Sequence, residues 1–213
     1  MAAKSGIFED VVPILALATA PYRIAKVKSI DRTDDVSEFM TIGVARGSRA
    51  VSHGSFQWWS WAKDRRAAEP DFEWRAIAEF RPTDPILVLH TADFVHGMMQ
   101  IREKAVVPCA IGGRRGPLVY VSFIEVAPWN RSSCPVRIFK GLGVLLLRFA
   151  CERSKQLGYD GRVGLHALPQ AQDFYLGLGF KPLIICPNEY KEVYFELDEL
   201  AGTKLMADRR EAT

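Results

Sequence analysis

Residues 118–126 read LVYVSFIEV. They are followed by APWNRSSCPVRIF (127–139) and then by Lys140-Gly141-Leu142-Gly143 at the head of a periodic segment. The first run is nearly all apolar, the pattern of a central strand buried on both faces. In the last segment Leu142, Leu145, Leu146, Phe149, Ala150 and Leu157 fall on one helical stripe. Arg148, Glu152, Lys155 and Gln156 fall opposite. Gly158 then Tyr159 is a glycine helix stop followed by a hydrophobic residue. A buried strand therefore leads through a loop into a helix that opens on two glycines. Such a helix start presents unpaired N–H groups and a positive dipole end, which suit phosphate. Gly141 and Gly143 would let the backbone approach a pyrophosphate, and Lys140 adds charge. The same glycines also serve to pack a helix closely on a sheet, and spacing alone does not choose between the two.

Downstream, Arg162 to Ala167 reads as a short strand, and Pro169 suits the first turn of a helix running to Leu178. Gly179-Phe180 repeats the capping chemistry. Pro182 to Ile185 and Tyr190 to Leu197 read as two strands around a Cys186 to Glu189 turn, with Val193, Phe195 and Leu197 sharing a face. Upstream, Tyr22 to Ile30 alternates as an edge strand would, and Asp31 to Ala78 reads as loop plus helix. The clearest element there is Ser55 to Ala68, with Ser55 as N-cap and Phe56, Trp58, Trp59 and Trp61 as its packing face. Ile86 to His90 and Gly97 to Lys104 read as strands joined at Thr91-Ala92-Asp93, and the glycine-rich Pro108 to Pro117 as a surface loop. The order of elements is mixed α/β in one domain.

The whole chain has 213 residues, 48% apolar and 25% charged, which suits a globular domain with an adequate core. A net charge of +3, with no run of five like charges, argues against a nucleic-acid footprint. Cys109, Cys134, Cys151 and Cys186 show no C-x-x-C spacing and suggest reduced cytosolic thiols. The four histidines form no close ligand pair, so no metal is expected. Val11 to Ala20, VVPILALATA, resembles a signal core, but Glu9, Asp10, Pro13 and Pro21 oppose that reading, and ten residues are too few to span a bilayer. A docked N-terminal segment is the expectation, and no membrane is expected as a partner.

Three motifs in order carry a resemblance: Val126-Ala127-Pro128, Ile138-Phe139-Lys140-Gly141-Leu142-Gly143, and Ala171-Gln172-Asp173-Phe174-Tyr175-Leu176-Gly177-Leu178-Gly179-Phe180. Together the stretch from Leu118 to Leu197 resembles the GNAT N-acetyltransferase superfamily. There, a strand ends in V-x-P, Q/R-x-x-G-x-G/A opens the next helix, and A-x-x-F-Y-x-x-x-G-F forms the following one. APWNR and GRVGLHALPQ are similar to a bacterial subgroup of that family. Ile138 departs from the family's Gln/Arg, and Trp129-Asn130-Arg131-Ser132-Ser133 lengthens the connection. Arg131 and Arg137 are the candidates to replace the lost cation.

The resemblance implies a single domain with a mostly antiparallel sheet, splayed between its fourth and fifth strands, and helices on both faces. It implies residues 1–20 as an extension, 21–200 as the acyltransferase domain and 201–213 as a frayed tail. It also implies acetyl-CoA as cofactor, with CoA as product, and direct transfer to a small-molecule or peptide amine in the cytoplasm, with a homodimer as an option. Val126 would meet the pantetheine arm; Phe139, Lys140, Gly141, Leu142, Gly143 and Val144 would take the pyrophosphate. Tyr175 would be the acid for the departing thiolate, its rival reading being a core tyrosine. Glu125 is the candidate base, with Tyr120 and Ser122 as rivals, and His166 reads as a structural hydrogen-bonder. A non-catalytic acyl-CoA-binding regulatory module of the same fold is the alternative. Acetylation of aminoacyl-tRNA lacks the basic surface it would need.

Overall fold

The computed structural model describes residues 11–13, 22–23, 39–45, 49–65, 68–91, 94–106, 116–135, 137–183 and 192–207. The chain is mixed α/β and divides into two compact units. The first takes residues 1–100, 123–146 and 210–213; the second takes 101–122 and 147–209.

In the first unit, strands β1 (Val11–Pro13), β3 (Phe39–Ala45), β4 (Ile86–His90) and β5 (Val95–Val106) pair antiparallel in that order, and β2 (Tyr22–Arg23) pairs with β3. Val11 faces Ala45, so a piece of the expected extension is a strand of this sheet. Helices α1 (Arg49–Arg65) and α2 (Trp74–Phe80) belong here, with Trp58, Trp74, Val88, Val95 and Met98 at the centre of a shared core. Two expectations are corrected. β3 lies inside the segment read as loop plus helix; its strand character comes from partners on both sides rather than from its own pattern. Ser55 is not an N-cap but a buried mid-helix residue, since α1 begins at Arg49. The Gly54-Ser55 pair marks a close approach instead: a Cβ on Gly54 would stand 3.0 Å from the Cβ of Val95. The Trp58 indole N–H donates to the Val95 carbonyl at 2.8 Å across the same contact.

In the second unit, β6 (Pro117–Val126) pairs parallel with β7 (Val163–Ala167), β7 antiparallel with β9 (Val193–Leu197), and β9 antiparallel with β8 (Lys181–Leu183). The parallel rungs join Val119–Val121 to Val163–Leu165, although β6 runs on to Val126 and β7 to Ala167. Helix α3 (Leu142–Gln156) ends as the sequence predicts: Gly158 has φ +80°, Tyr159 N–H donates to the Ser154 carbonyl and Gly158 N–H to that of Lys155. The segment from Pro169 opens as a 3-10 turn (Pro169–Ala171) and continues as α4 (Gln172–Gly177). It stops on the same motif, with Gly179 at φ +91° and Phe180 N–H on the Tyr175 carbonyl.

The expected frayed tail over 201–213 is corrected as far as Ala207, and residues 208–213 lie outside the described residues. Residues Glu199–Ala207 form helix α5, whose first turn is capped by the Asp198 carboxylate on the Ala201 N–H at 2.9 Å. A Cβ on Gly202 would stand 2.5 Å from the Gly161 carbonyl, so this helix rests backbone to backbone on the turn after α3. The readings placed on 24–30, on 108–115 with Cys109, and on 184–191 with Cys186 lie outside the described residues.

Candidate active site

The first unit contains the end of β6 and the opening of α3. β6 stops where Ala127 N–H turns to donate to the His96 carbonyl at 2.9 Å, and Pro128–Asn130 follows as a 3-10 turn. Of the inserted residues Trp129 and Asn130 are buried and Arg131 is half-buried, while Ser132 and Ser133 are exposed. Asn130 works in two directions. Its carbonyl oxygen accepts from Phe139 N–H at 3.0 Å, and its amide nitrogen lies 3.2 Å from His96 Nδ1. His96, only 3% exposed, also has Nε2 3.2 Å from the Thr91 hydroxyl and an edge contact to the Phe139 ring at 5.0 Å. Burial, with a smaller contribution from His90, holds its pKa down at about 4, so the ring is a neutral hydrogen-bonding post. It accepts from Asn130 on one nitrogen and donates to Thr91 on the other.

That post places the turn into α3. Phe139 is buried, while Gly141 is exposed with φ +76°, a left-handed conformation that favours glycine. The helix's hydrogen bonding opens with Leu145 N–H donating to the Gly141 carbonyl at 2.9 Å. The amides of Leu142, Gly143 and Val144 precede it and meet no acceptor among the described residues. Lys140 and Arg137, each half-buried, form no ion pair among them. Ile138 is 40% exposed and apolar. The turn thus offers three backbone donors and two cations without an ion pair among the described residues, an arrangement suited to an anion.

Arg131 does not share in this. Its guanidinium pairs with Glu125, stands 3.3 Å from the Asp71 carboxylate, and donates to the Glu69 carbonyl at 3.0 Å. Glu125 is 6% exposed. Its Oε1 accepts from Arg131 and from Asp71 N–H at 2.6 Å, and its Oε2 from the Trp74 indole at 2.8 Å. Desolvation raises its pKa, opposed by the Asp71 and Trp74 hydrogen bonds and by Arg131. The sheet face holding Phe123 and Glu125 is the one covered by Phe72 and Trp74, with Phe72 and Phe123 rings 5.3 Å apart. Both carboxylate oxygens therefore have donors, which makes Glu125 a tie between β6 and the start of α2.

In the second unit, Tyr175 sits on α4 and is 6% exposed, its ring 5.5 Å from Phe180 and 6.1 Å from Phe195. Its hydroxyl takes no hydrogen bond from any described residue, and burial pushes its pKa up to about 12. The rivals to Glu125 also lie in this unit. Tyr120 Oη stands 2.6 Å from His166 Nδ1, and the buried Ser122 hydroxyl has no partner among the described residues. Sequence reasoning missed His96, Asn130 and Trp129 as the frame of the α3 turn. The available signal was a histidine inside an apolar strand, VHGMMQI, and a Pro-Trp-Asn just past the next strand.

The described residues therefore define an α/β protein whose sheet is mostly antiparallel, with one strand–loop–helix connection whose helix opens on three amides that meet no described acceptor. No protein-family model matches the sequence, and no curated protein does. Solved structures do match. One is a GNAT family acetyltransferase from Listeria monocytogenes at 13% identity over 81% of this chain and 98% of that chain, with a TM-score of 0.49. A second is a GNAT family acetyltransferase from Brucella melitensis in complex with acetyl-CoA, at 17% identity over 74% and 86%, with a TM-score of 0.46. A third is a bacterial toxin at 19% identity over 63% and 80%, with a TM-score of 0.51. At these identities the likeness is one of fold alone, a mixed α/β arrangement shared with the bacterial toxin. No helix among the described residues is long and apolar enough to cross a membrane.

Proposed function

We propose that the protein is an acetyl-CoA-dependent N-acetyltransferase acting on a small-molecule or peptide amine. The observation that carries this reading is the opening of α3. There the amides of Leu142, Gly143 and Val144, which meet no acceptor among the described residues, follow a left-handed Gly141 and stand with Lys140, which has no described ion pair. A diphosphate is the biological anion that best fits three backbone donors and a flanking cation. Acetyl-CoA carries one, supplies the acetyl thioester, and is bound in the Brucella melitensis structure of the same fold.

In this reading Phe139 to Val144 hold the pyrophosphate, Arg137 stands in for the side-chain donor that Ile138 lacks, and Val126 serves the pantetheine arm. Tyr175 keeps its proton at neutral pH because burial disfavours the phenolate, and it donates to the departing thiolate. Glu125 is the carboxylate that sequence offers as base, and its three donors support a structural tie instead. The test is calorimetric titration with acetyl-CoA, followed by thiol release measured against a panel of amines. Binding, with thiol released only when an amine is present, is the expected result. No acetyl-CoA binding overturns the reading. Binding without turnover on any amine favours the non-catalytic acyl-CoA-binding module, for which the apolar, exposed Ile138 is the supporting observation.

A further inference from the structure

The insert between β6 and α3 leaves and returns through one neck. There Ile138 N–H reaches the Trp129 carbonyl at 3.4 Å, and Phe139 N–H donates to the Asn130 side chain at 3.0 Å. Trp129, Asn130 and Phe139 at the neck are buried, while Ser132, Ser133 and Pro135 beyond it are exposed. The side-chain bond is the shorter of the two. It also falls on the last buried residue before the exposed, left-handed Gly141.

Asn130 makes that bond in one orientation only, and His96 chooses it. Two donors converge on His96 Nδ1: the Trp129 indole N–H at 3.4 Å and the Asn130 amide nitrogen at 3.2 Å. An indole N–H can only donate. Nδ1 therefore carries no proton, and the ring's N–H lies on Nε2, 3.2 Å from the Thr91 hydroxyl. With its amide nitrogen turned to an accepting ring, Asn130 has its carbonyl oxygen left for Phe139. A flipped amide would set an oxygen against the Nδ1 lone pair and an NH2 group against the Phe139 N–H, losing both bonds. The far end of the relay is closed too, since Thr91 N–H donates to the Phe94 carbonyl at 2.9 Å.

Asn130 and Phe139 stand nine positions apart, so their bond closes the insert into a loop. The glycine pair that follows is permissive backbone. Without the bond, the freedom of loop and glycines would be surrendered when an anion binds, at a cost in affinity. With it, the ordering is already present in the free protein.

We propose that Asn130, oriented by His96, is a positioning residue that presets the α3 opening for the diphosphate of acetyl-CoA, acting through the Phe139 amide. The inference rests on the acetyltransferase reading above, and the effect belongs to affinity rather than to the acetyl transfer.

The test compares Asn130→Ala, His96→Phe and the double variant with wild type by calorimetric titration with acetyl-CoA, melting temperature and kinetics on an accepted amine. Asn130→Ala should weaken acetyl-CoA binding by about tenfold, the effect of a buried amide losing its acceptor. KM for acetyl-CoA should rise in step while kcat moves far less, a split that general destabilisation does not give. His96→Phe keeps Asn130 but removes the group that orients it, so it should weaken binding as well. Combining the two should cost little more than either alone. Where His96→Phe does not fold, Asn130→Asp takes its place. Its carboxylate still offers an oxygen to Phe139 N–H, so recovery of affinity supports the relay, and affinity as low as that of Asn130→Ala overturns it. A folded Asn130→Ala with wild-type affinity overturns the proposal, as do fully additive losses in the double variant. Wild-type protein that binds no acetyl-CoA overturns the acetyltransferase reading itself, and this inference falls with it.

Discussion

Glu125 and Tyr175 are both buried to the same degree, and burial pushes both pKa values upward, yet their surroundings differ in kind. Glu125 has donors on both oxygens: a guanidinium, an indole and a backbone amide. Tyr175 is packed only by rings, and its hydroxyl has no described partner. A carboxylate in the Glu125 setting is spent on holding the chain together. A phenol in the Tyr175 setting holds a proton that no described residue accepts. The sequence offers one as base and the other as acid, and the two differ in how many described partners they have.

The largest expected effect breaks the comparison at Glu125. Replacing it with Ala leaves Arg131 with the Asp71 carboxylate and the Glu69 carbonyl, but strands the Trp74 indole and the Asp71 amide. Removing one partner of such a buried pair costs about 3–5 kcal/mol, read from urea unfolding. Glu125→Gln keeps an acceptor for the indole and should cost clearly less. The folded pKa of Glu125 lies above its ordinary value, so the native state binds the extra proton. Its contribution therefore weakens as pH rises from the ordinary carboxylate value toward the folded one, and Glu125→Gln should remove that limb. A Glu125→Ala protein as stable as wild type would return Glu125 to the list of bases.

His96 supplies the opposite slope. Its folded pKa of about 4 lies below the ordinary 6.5, so the unfolded chain binds more protons between those values. Stability is complete above pH 6.5 and falls as pH drops toward 4, by about 3 kcal/mol over the window. The same protonation removes the acceptor that Asn130 uses, so the turn into α3 should loosen along with the fold. His96→Gln should flatten this acid limb in thermal melts taken between pH 7 and 4. An unchanged limb would assign the acid sensitivity to other groups.

These contrasts also mark how far the sequence could be read. α3, β6 and the two glycine stops are legible because a helical stripe, an apolar run and a left-handed glycine are local signals. β3 was misread because FMTIGVA has no clear alternation and becomes a strand through pairing with β1 and β4. The start of α1 was misplaced because Gly54 and Ser55 look like a break, whereas they let the helix approach Val95. At the site, the glycines and the V-A-P strand end are read from adjacent residues. The partners of Glu125 stand more than 50 positions upstream, and no spacing rule reaches Asp71 and Trp74. Arg131 was within reach, six residues on, but its pairing with Glu125 depends on the insert folding back.

A smaller effect is expected at the α3 opening. Gly143→Asp puts a negative side chain among the three unpartnered amides, and acetyl-CoA affinity should fall more than tenfold, about 1.4 kcal/mol or more. The same substitution places an acid in the first turn of a helix, where the dipole favours it, so the melting temperature should hold or rise. Weaker binding in an equally stable protein sharpens the assignment of this turn to the anion. Unchanged affinity in calorimetry would remove it.

The smallest effect on the fold is expected at Tyr175, and there a null result is informative. Tyr175→Phe removes a hydroxyl that makes no hydrogen bond with a described residue, while the ring contacts to Phe174, Phe180 and Phe195 persist. Unfolding free energy should move by no more than about 0.5 kcal/mol. A structural tyrosine with a satisfied hydroxyl would instead lose about 1 kcal/mol. Turnover should respond differently: if the phenol donates to the leaving thiolate, kcat on an accepted amine falls by about 10²-fold while acetyl-CoA affinity stays put. With its pKa near 12 the phenol stays protonated through the neutral and mildly alkaline range, so this loss should be the same at pH 7 and pH 9. A variant that melts lower yet keeps its full rate would make Tyr175 a core residue. The contrast with Glu125 would then collapse into two structural side chains.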